Sequence, residues 1–558
     1  MPNHTELIDL LLKNRGIAPE DYNKFLNPSY EEHLHDPFLL KDMDKAVARI
    51  YKAVGENEKI VIYSDYDCDG IPAAVIMSDL FTKIGYKNFV VYIPDRHDEG
   101  YGLHMDAIGE FVKSGVKLLI TFDLGITAVE EVKLAQKSGI DVIITDHHLP
   151  QEKIPNAFAI INHKQSDCEY PEEILCGAGL AFKLASALIQ KHGKEWGITD
   201  GWEKWLLDMA GLATLADQVP LVGENRVLAY YGIKVLQKTR RPGLVELFRK
   251  AGVDMSKMNE EDVTFTLAPR LNAASRMASP MDAFKVLSTV DLVEAKSVAD
   301  HLAKINDERK HIVATIMKDI KKNLGKRDNG EERPVIVIGN PKWRVGILGL
   351  VASKIVDEYK KPVFVWGSEG SDVIRGSCRG IGDMNLVSAM QALPEGSLLS
   401  FGGHLNAGGF SVSHEQVHFL EERLTSIWDN FDWSTVVEED NSQKIDAVIT
   451  LDDITMENFN TIEKLAPFGM SNPRPVFKLP GVKISSLKEF GKDQNHLELI
   501  FSNSKGRPVK AISFFKTRQS YPVKSILKAG DSIDLLAMFE KSTFAGRTEL
   551  RLRIVDII

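Results

Sequence analysis

From Lys59 onward, short runs of β-branched and apolar residues alternate with longer stretches in which apolar positions recur every three or four residues. The runs are 60–63, 89–93, 118–122, 142–145 and 158–161, and the stretches with helical spacing between them are 71–84, 105–114 and 128–138. Strand and helix in alternation predict βαβ units and a parallel sheet covered on both faces. Such sheets carry their chemistry outside the carboxyl ends of the strands. Helical spacing continues through 180–191 and 202–214. It then runs over 291–324, where Leu292, Ala295, Val298, Ala299, Leu302 and Ile305 are followed by Ile312, Val313, Ile316, Met317 and Ile320. This stretch predicts one long helix, or two in tandem, of roughly 50 Å at about 1.5 Å per residue.

A polar, Gly-containing stretch at 326–334 ends that helix, and a second α/β pattern runs from Val335 to about Ile427. The acidic and polar residues 438–442 read as a linker. Beyond it, 497–501, 509–514, 533–539 and 548–555 carry strand patterns separated by turn residues. Several short strands in so short a stretch predict a small β-barrel of the oligonucleotide-binding (OB) type. The expected organisation is therefore α/β. An N-terminal segment (1–45) precedes a parallel-sheet domain (46–225), a helical connector (226–330) with the long helix, a smaller α/β lobe (331–430) and an OB-like barrel (445–558).

At 558 residues the chain is too long for one core. No run of about 18 apolar residues suggests a membrane span, and the N-terminus lacks the apolar core of a secretion signal, so the expectation is a cytoplasmic protein. The four cysteines, Cys68, Cys168, Cys176 and Cys378, form no C-x-x-C pair and are expected to pack as small apolar groups. The net charge is −10, yet residues 445–558 hold 17 basic against 13 acidic side chains. An acidic body with a basic tail suits a local polyanion site rather than wrapping of nucleic acid.

The chemistry falls at the predicted strand ends. Y-S-D-Y-D-C-D-G sets Asp65, Asp67 and Asp69 directly after the first strand. A single Asp there would be an ordinary helix cap, but three repel one another unless a divalent cation neutralises them. Asp123 follows the third strand and Asp146-His147-His148 the fourth. Imidazole beside carboxylates favours manganese, iron or zinc over magnesium or calcium alone. Asp217 closes an otherwise apolar helix in L-A-T-L-A-D-Q-V-P.

Taken in order, D-Y-D-C-D-G, P-D-R, D-L-G, D-H-H and L-A-D-Q-V-P resemble the motif series of the DHH phosphoesterase superfamily. G-A-G-L-A-F-K-L, A-P-R-L-N-A-A-S-R-M, R-V-G-I-L-G-L-V-A-S-K and G-G-H-L-N-A-G-G-F are similar to its single-stranded-DNA exonuclease branch. The resemblance covers nearly everything from about residue 45. It implies Asp67, Asp69, Asp123, His147 and Asp217 as metal ligands, with Asp65, Asp146 and His148 as catalytic groups beside them. It implies two ions, Mn2+ with Mg2+ as the substitute. Arg96, Ser377 and Arg379 would then receive a 5′-phosphate, with Arg270, Arg276 and His404 as further substrate contacts. Three positions depart from the pattern: Leu124 where Asn is frequent, His163 where Pro is usual, and Gly380 where Ser is usual.

The implied activity is 5′→3′ hydrolysis of single-stranded DNA to mononucleotides in DNA repair and recombination. The implied protein is a monomer, with single-stranded-DNA-binding protein and a helicase as candidate partners and no membrane contact. The alternative within the superfamily is an oligonucleotide or cyclic-dinucleotide phosphodiesterase. A non-cutting replication scaffold would lack metal ligands that are present here, and a manganese pyrophosphatase would not need the barrel. Aromatic and basic residues interleave in the barrel (Phe490, Lys492, Phe501, Lys505, Arg507, Phe514, Phe515, Lys516, Arg518), a composition suited to stacking bases.

Overall fold

A computed structural model describes residues 4–327, 333–382, 384–403, 405–429, 445–492, 494–521, 526–542 and 548–558. The chain divides into two compact units. One comprises Pro37–Asp217 with Val235–Asp440, the other Met1–Asp36, Gln218–Lys234 and Asn441–Ile558.

The larger unit begins with a five-stranded sheet formed by β1 (Ile60–Ser64), β2 (Phe89–Tyr92), β3 (Leu118–Phe122), β4 (Asp141–Thr145) and β5 (Ala159–Ile161). Its order is β2-β1-β3-β4-β5, and every pairing is parallel. β1 and β3 are buried along their whole length, as the unbroken apolar runs require of a sheet covered on both faces. Because the strands are parallel, their carboxyl ends, with Asp65, Asp123 and Asp146, open on one edge. The long stretch within the connector is a single helix, Leu292–Arg327. A second sheet follows, formed by β6 (Ile336–Gly339), β7 (Val363–Gly367), β8 (Ile374–Arg379), β9 (Ser400–Gly403) and β10 (Ala407–Val412). It is ordered β6-β7-β8-β10-β9 and is mixed, since only β6 and β7 run parallel.

In the smaller unit β11 (Ala447–Val448), β12 (Phe477–Phe490), β13 (His496–Ser502), β14 (Pro508–Ser513), β15 (Ser532–Ser542) and β16 (Glu549–Ile557) build the barrel. The pairing of β12 with β15 closes it. The N-terminal helix His4–Asn14 belongs to the same unit. Its Leu7, Leu11 and Leu12, with Phe25, pack in one buried cluster with Phe477, Leu499 and Phe539 of the barrel. Arg15 adds a bond from its Nε to Asn472 Oδ1 (2.8 Å). The aromatics of the barrel separate into two sets. Phe501 is fully buried, whereas Phe515 is 80% exposed and stands edge-on to His496, which also meets Phe490 and Phe514.

Of the cysteines, Cys68, Cys176 and Cys378 are buried and Cys168 is half-buried, and all are free thiols. Among the described residues no helix is long and apolar enough to cross a membrane. The 438–442 linker and His404 lie outside the described residues.

Candidate metal centre

At the end of β1 the chain turns sharply into the helix Gly70–Lys83. Asp67 Oδ1 accepts from the amides of Asp69 (2.8 Å) and Gly70 (3.2 Å), so it caps this helix. Asp69 is held from elsewhere: the amides of Gly177 and Ala178 donate to its two oxygens at 2.6 and 2.7 Å. These amides open the helix Gly177–His192, where the unpaired N–H groups and the dipole favour a carboxylate.

Asp123 takes a left-handed backbone, φ 62°, which is uncommon for a residue other than glycine and marks a position fixed by its surroundings. Its Oδ1 is buried without a hydrogen-bond partner and lies 3.1 Å from His147 Nε2. His147 Nε2 is also 3.6 Å from Asp69 Oδ2. Asp146 does a different job. It is fully buried, its Oδ2 accepts from the Ile126 amide at 2.9 Å, and its Oδ1 lies 2.8 Å from His148 Nδ1. Asp146 thus orients His148. Two groups that the motif reading did not single out complete the rim. Tyr101 donates its hydroxyl to the Asp123 carbonyl (3.2 Å) and stands 3.3 Å from His148 Nδ1. Asn162 donates to the His148 carbonyl at 2.9 Å.

The ligand-type atoms converge. Those of Asp69, His147 and Asp217 lie within 4.8 Å of one another, as do those of Asp65, Asp67 and Asp123, and those of Asp123, His147 and His148. The charges are in conflict without a cation. Burial and Asp67 push the Asp65 carboxyl well above its usual range. Burial, Asp69 and Asp67 do the same to Asp123. Asp69 is pushed up to about 6 by burial and Asp67, and Asp217, more open to solvent, is raised in the same direction. Burial and the neighbouring His148 lower His147 to about 3, so its imidazole is neutral and free to ligate. Clustered carboxylates, a neutral imidazole and an orphaned buried oxygen fit divalent cations.

Of the unusual positions, His163 is structural: buried, it bonds the Leu175 carbonyl through Nε2 at 3.1 Å. Gly177 matters for closeness, since a Cβ there would stand 2.7 Å from Asp123 Cβ and 3.0 Å from Asp69 Oδ2. Gly177→Ala should therefore displace the Asp69 carboxylate and weaken manganese binding by about 10–100-fold. Calorimetric titration with manganese checks this, and parent-like affinity would refute it.

Two arginines lie within electrostatic reach of the cluster, Arg96 of Asp65 and Arg276 of Asp67. Arg96 lies with its guanidinium 4.9 Å from the Tyr66 ring centre. Arg379 ends β8, and its Nη2 would be only 2.9 Å from a Cβ at residue 349, so Gly349 provides its space; Ser377 Oγ would be 3.7 Å from the same Cβ. Arg276 donates from Nη1 to the Gly346 carbonyl at 3.1 Å. Its own carbonyl is 3.2 Å from His97 Nε2, and Arg375 Nη1 donates to the His97 carbonyl at 2.9 Å. The Arg96–His97 loop, the end of the helix Ala268–Met277 and β8 are thereby tied together. Burial, then the like charges of Arg96 and Arg309, disfavour the charged form of Arg276. Arg270 donates to the Thr266 carbonyl at 2.6 Å.

Three family models match the chain: the DHH family, N-terminal domain over residues 59–214, the DHHA1 domain over 332–430, and the RecJ OB domain over 445–556. The chain is 37% identical over 502 residues to the single-stranded-DNA-specific exonuclease RecJ of Bacillus subtilis, covering 89% of this chain and 62% of that protein. It is 30% identical to the Haemophilus influenzae protein of the same name over 570 residues, 100% of this chain and 96% of that one. It is 31% identical to the Escherichia coli K12 protein over 78% of each. The crystal structure of RecJ in complex with Mn2+ from Thermus thermophilus shares the fold, with TM-score 0.81 at 24% identity over 99% of this chain and 76% of that one. A crystal structure of exonuclease RecJ bound to manganese aligns with TM-score 0.62 at 28% identity, over 70% of this chain and 96% of that one.

Proposed function

The chain belongs to the RecJ family of single-stranded-DNA-specific exonucleases, and from that membership we propose that it removes mononucleotides from single-stranded DNA in the 5′→3′ direction. The observation that carries the reading is the convergence of Asp65, Asp67, Asp69, Asp123, His147 and Asp217 around an unpartnered, buried Asp123 oxygen. Two divalent ions, manganese foremost with magnesium as the substitute, would be held by Asp67, Asp69, Asp123, His147 and Asp217, and the relatives solved with Mn2+ and with Mg2+ support a divalent cofactor. When bound, they would supply charge neutralisation at the phosphodiester and a nucleophile at neutral pH.

The protein's own groups have separate tasks. The Gly177 and Ala178 amides fix Asp69, and the left-handed turn at Asp123 aims its carboxylate into the cluster. Asp146 keeps His148 oriented through Nδ1. Arg96, Ser377 and Arg379 would receive the terminal 5′-phosphate and set the register of the strand, because a planar guanidinium matches phosphate oxygens in pairs. Arg276 and Arg270 would contact phosphates beside them. The exposed Phe515 and its neighbours on the barrel suit base stacking. The wider reading is a cytoplasmic monomer acting in DNA repair and recombination, with single-stranded-DNA-binding protein and a helicase as partners.

Digestion of one oligonucleotide labelled at either end tests direction and product. With manganese, the 5′ label should appear at once as mononucleotide while the 3′ label passes through a ladder of shortened strands. The reverse pattern, or internal fragments first, would overturn the reading.

A further inference from the structure

Arg96 lies on the loop that follows β2, and its side chain does little to fix its own position. The guanidinium rests on the Tyr66 ring, and among the described residues it has no hydrogen-bond or ion-pair partner. Its place is therefore set by the backbone of the loop. Asp95 turns that backbone, its Oδ1 accepting from the amides of His97 (2.8 Å) and Asp98 (3.2 Å). His97 then carries the loop to the second sheet. A carbonyl can only accept, so His97 Nε2 bears the hydrogen and donates to the Arg276 carbonyl at 3.2 Å. Gly346, buried in the short helical turn Val345–Ile347, leaves room for this contact. A Cβ there would stand 2.7 Å from His97 Cε1 and 2.6 Å from the Arg276 carbonyl oxygen. On β8, Arg375 Nη1 donates to the His97 carbonyl at 2.9 Å. The less buried positions of that strand are Arg375, Ser377 and Arg379, which share one face because side chains alternate along a strand. The residue that grips His97 thus stands in one row with the two assigned to the phosphate.

We propose that His97 is a positioning residue that latches the loop of Arg96 to β8 and to the helix Ala268–Met277, and so sets the spacing at which Arg96 and Arg379 receive a terminal phosphate. Such a spacing needs a tie, because Arg96 and Arg379 repel each other: the like charge of Arg96 disfavours the charged form of Arg379. The tie also has the right chemistry. The bonds from His97 and Arg375 both end on backbone carbonyls, so they fix the chain without neutralising either pocket arginine. The inference rests on the reading of Arg96 and Arg379 as the phosphate pocket, and it adds what keeps that pocket assembled while it is empty. His97 itself touches no substrate.

The test uses the full-length protein and an oligothymidylate of about a dozen nucleotides, with and without a 5′-phosphate, bound in EDTA. His97→Ala should lose about tenfold of the affinity that the phosphate adds, and should change binding of the 5′-hydroxyl strand no more than a few-fold. His97→Gln keeps an N–H donor at the end of its side chain and should recover most of the loss. In an Arg379→Ala background, His97→Ala should cost nothing further, since residues that act through one pocket are not additive. Hydrogen exchange reads the latch without substrate: the amides of 95–100 should exchange faster in His97→Ala than in the parent, at a similar melting temperature. An undiminished phosphate preference in His97→Ala, equal losses on the two strands, an additive loss in the double variant or unchanged exchange would overturn the latch. A parent with no phosphate preference, whose residues 95–100 are still loosened by His97→Ala, would instead sink the pocket reading and leave the latch standing.

Discussion

Asp123→Asn is expected to lower hydrolysis of single-stranded DNA by roughly 10³-fold or more, about 4 kcal/mol of barrier, while affinity for the strand in EDTA changes only a few-fold. The loss follows because Asp123 is shared between two of the ligand clusters and its Oδ1 has nothing else to do. Without it the ions that neutralise the reacting phosphate would be held badly or singly. Strand affinity should survive, since it comes from arginine–phosphate contacts. A second effect runs the other way. In the metal-free protein Asp123 is crowded by Asp69, Asp67 and Asp65, so replacing its charge with an amide removes repulsion and should raise the melting temperature in EDTA. Added manganese should then stabilise the parent much more than the variant, because a ligand stabilises the fold only as far as the fold binds it. Single-turnover assays and melting curves with and without manganese check both halves. Near-parent turnover by a folded variant would end the shared-ligand assignment.

Part of this site is legible in the sequence because each signal is local. An apolar run followed by Asp fixes a strand and the group at its end, and that pattern alone places Asp65, Asp123 and Asp146 on one sheet edge. The ambiguity at Asp67 between helix cap and ligand is no conflict: one oxygen caps the helix Gly70–Lys83, and the carboxylate still belongs to the cluster of Asp65 and Asp123. What the sequence hides depends on partners far along the chain. Nothing local says that Leu7 and Leu11 complete a barrel core beginning beyond residue 440. An amphipathic helix declares that it has an apolar face, but not what covers it. Tyr101 is hidden for a similar reason, since its hydroxyl finds Asp123 and His148 only after three strands have assembled. His97 is hidden likewise, because its ring and carbonyl meet Arg276 and Arg375 only once the two sheets have come together.

Arg379→Ala should separate the two ends of a substrate. Arg379 closes β8 above Gly349, with Nη1 tied to the Cys378 carbonyl at 2.7 Å. Burial disfavours its charged state, and the like charge of Arg96 adds to that. An anion placed between Arg96 and Arg379 would relieve that strain, and the more charge it carries the greater the relief. A terminal phosphate monoester carries about one more negative charge than an internal diester, so the pair can discriminate the two. In the parent a 5′-phosphorylated strand should be the better substrate. Arg379→Ala should lower its kcat/KM by about 10–100-fold, the range for a lost charge-assisted bond, but affect the 5′-hydroxyl strand only a few-fold, leaving the two nearly equivalent. Arg379→Lys should restore only part of the preference, because an ammonium keeps the charge and loses the planar fork. If Arg379 were instead a general backbone contact, both substrates would fall by the same factor. Initial rates on the two strands with parent, Ala and Lys proteins decide the matter, and a phosphate preference that survives Arg379→Ala would remove this residue from the terminal pocket.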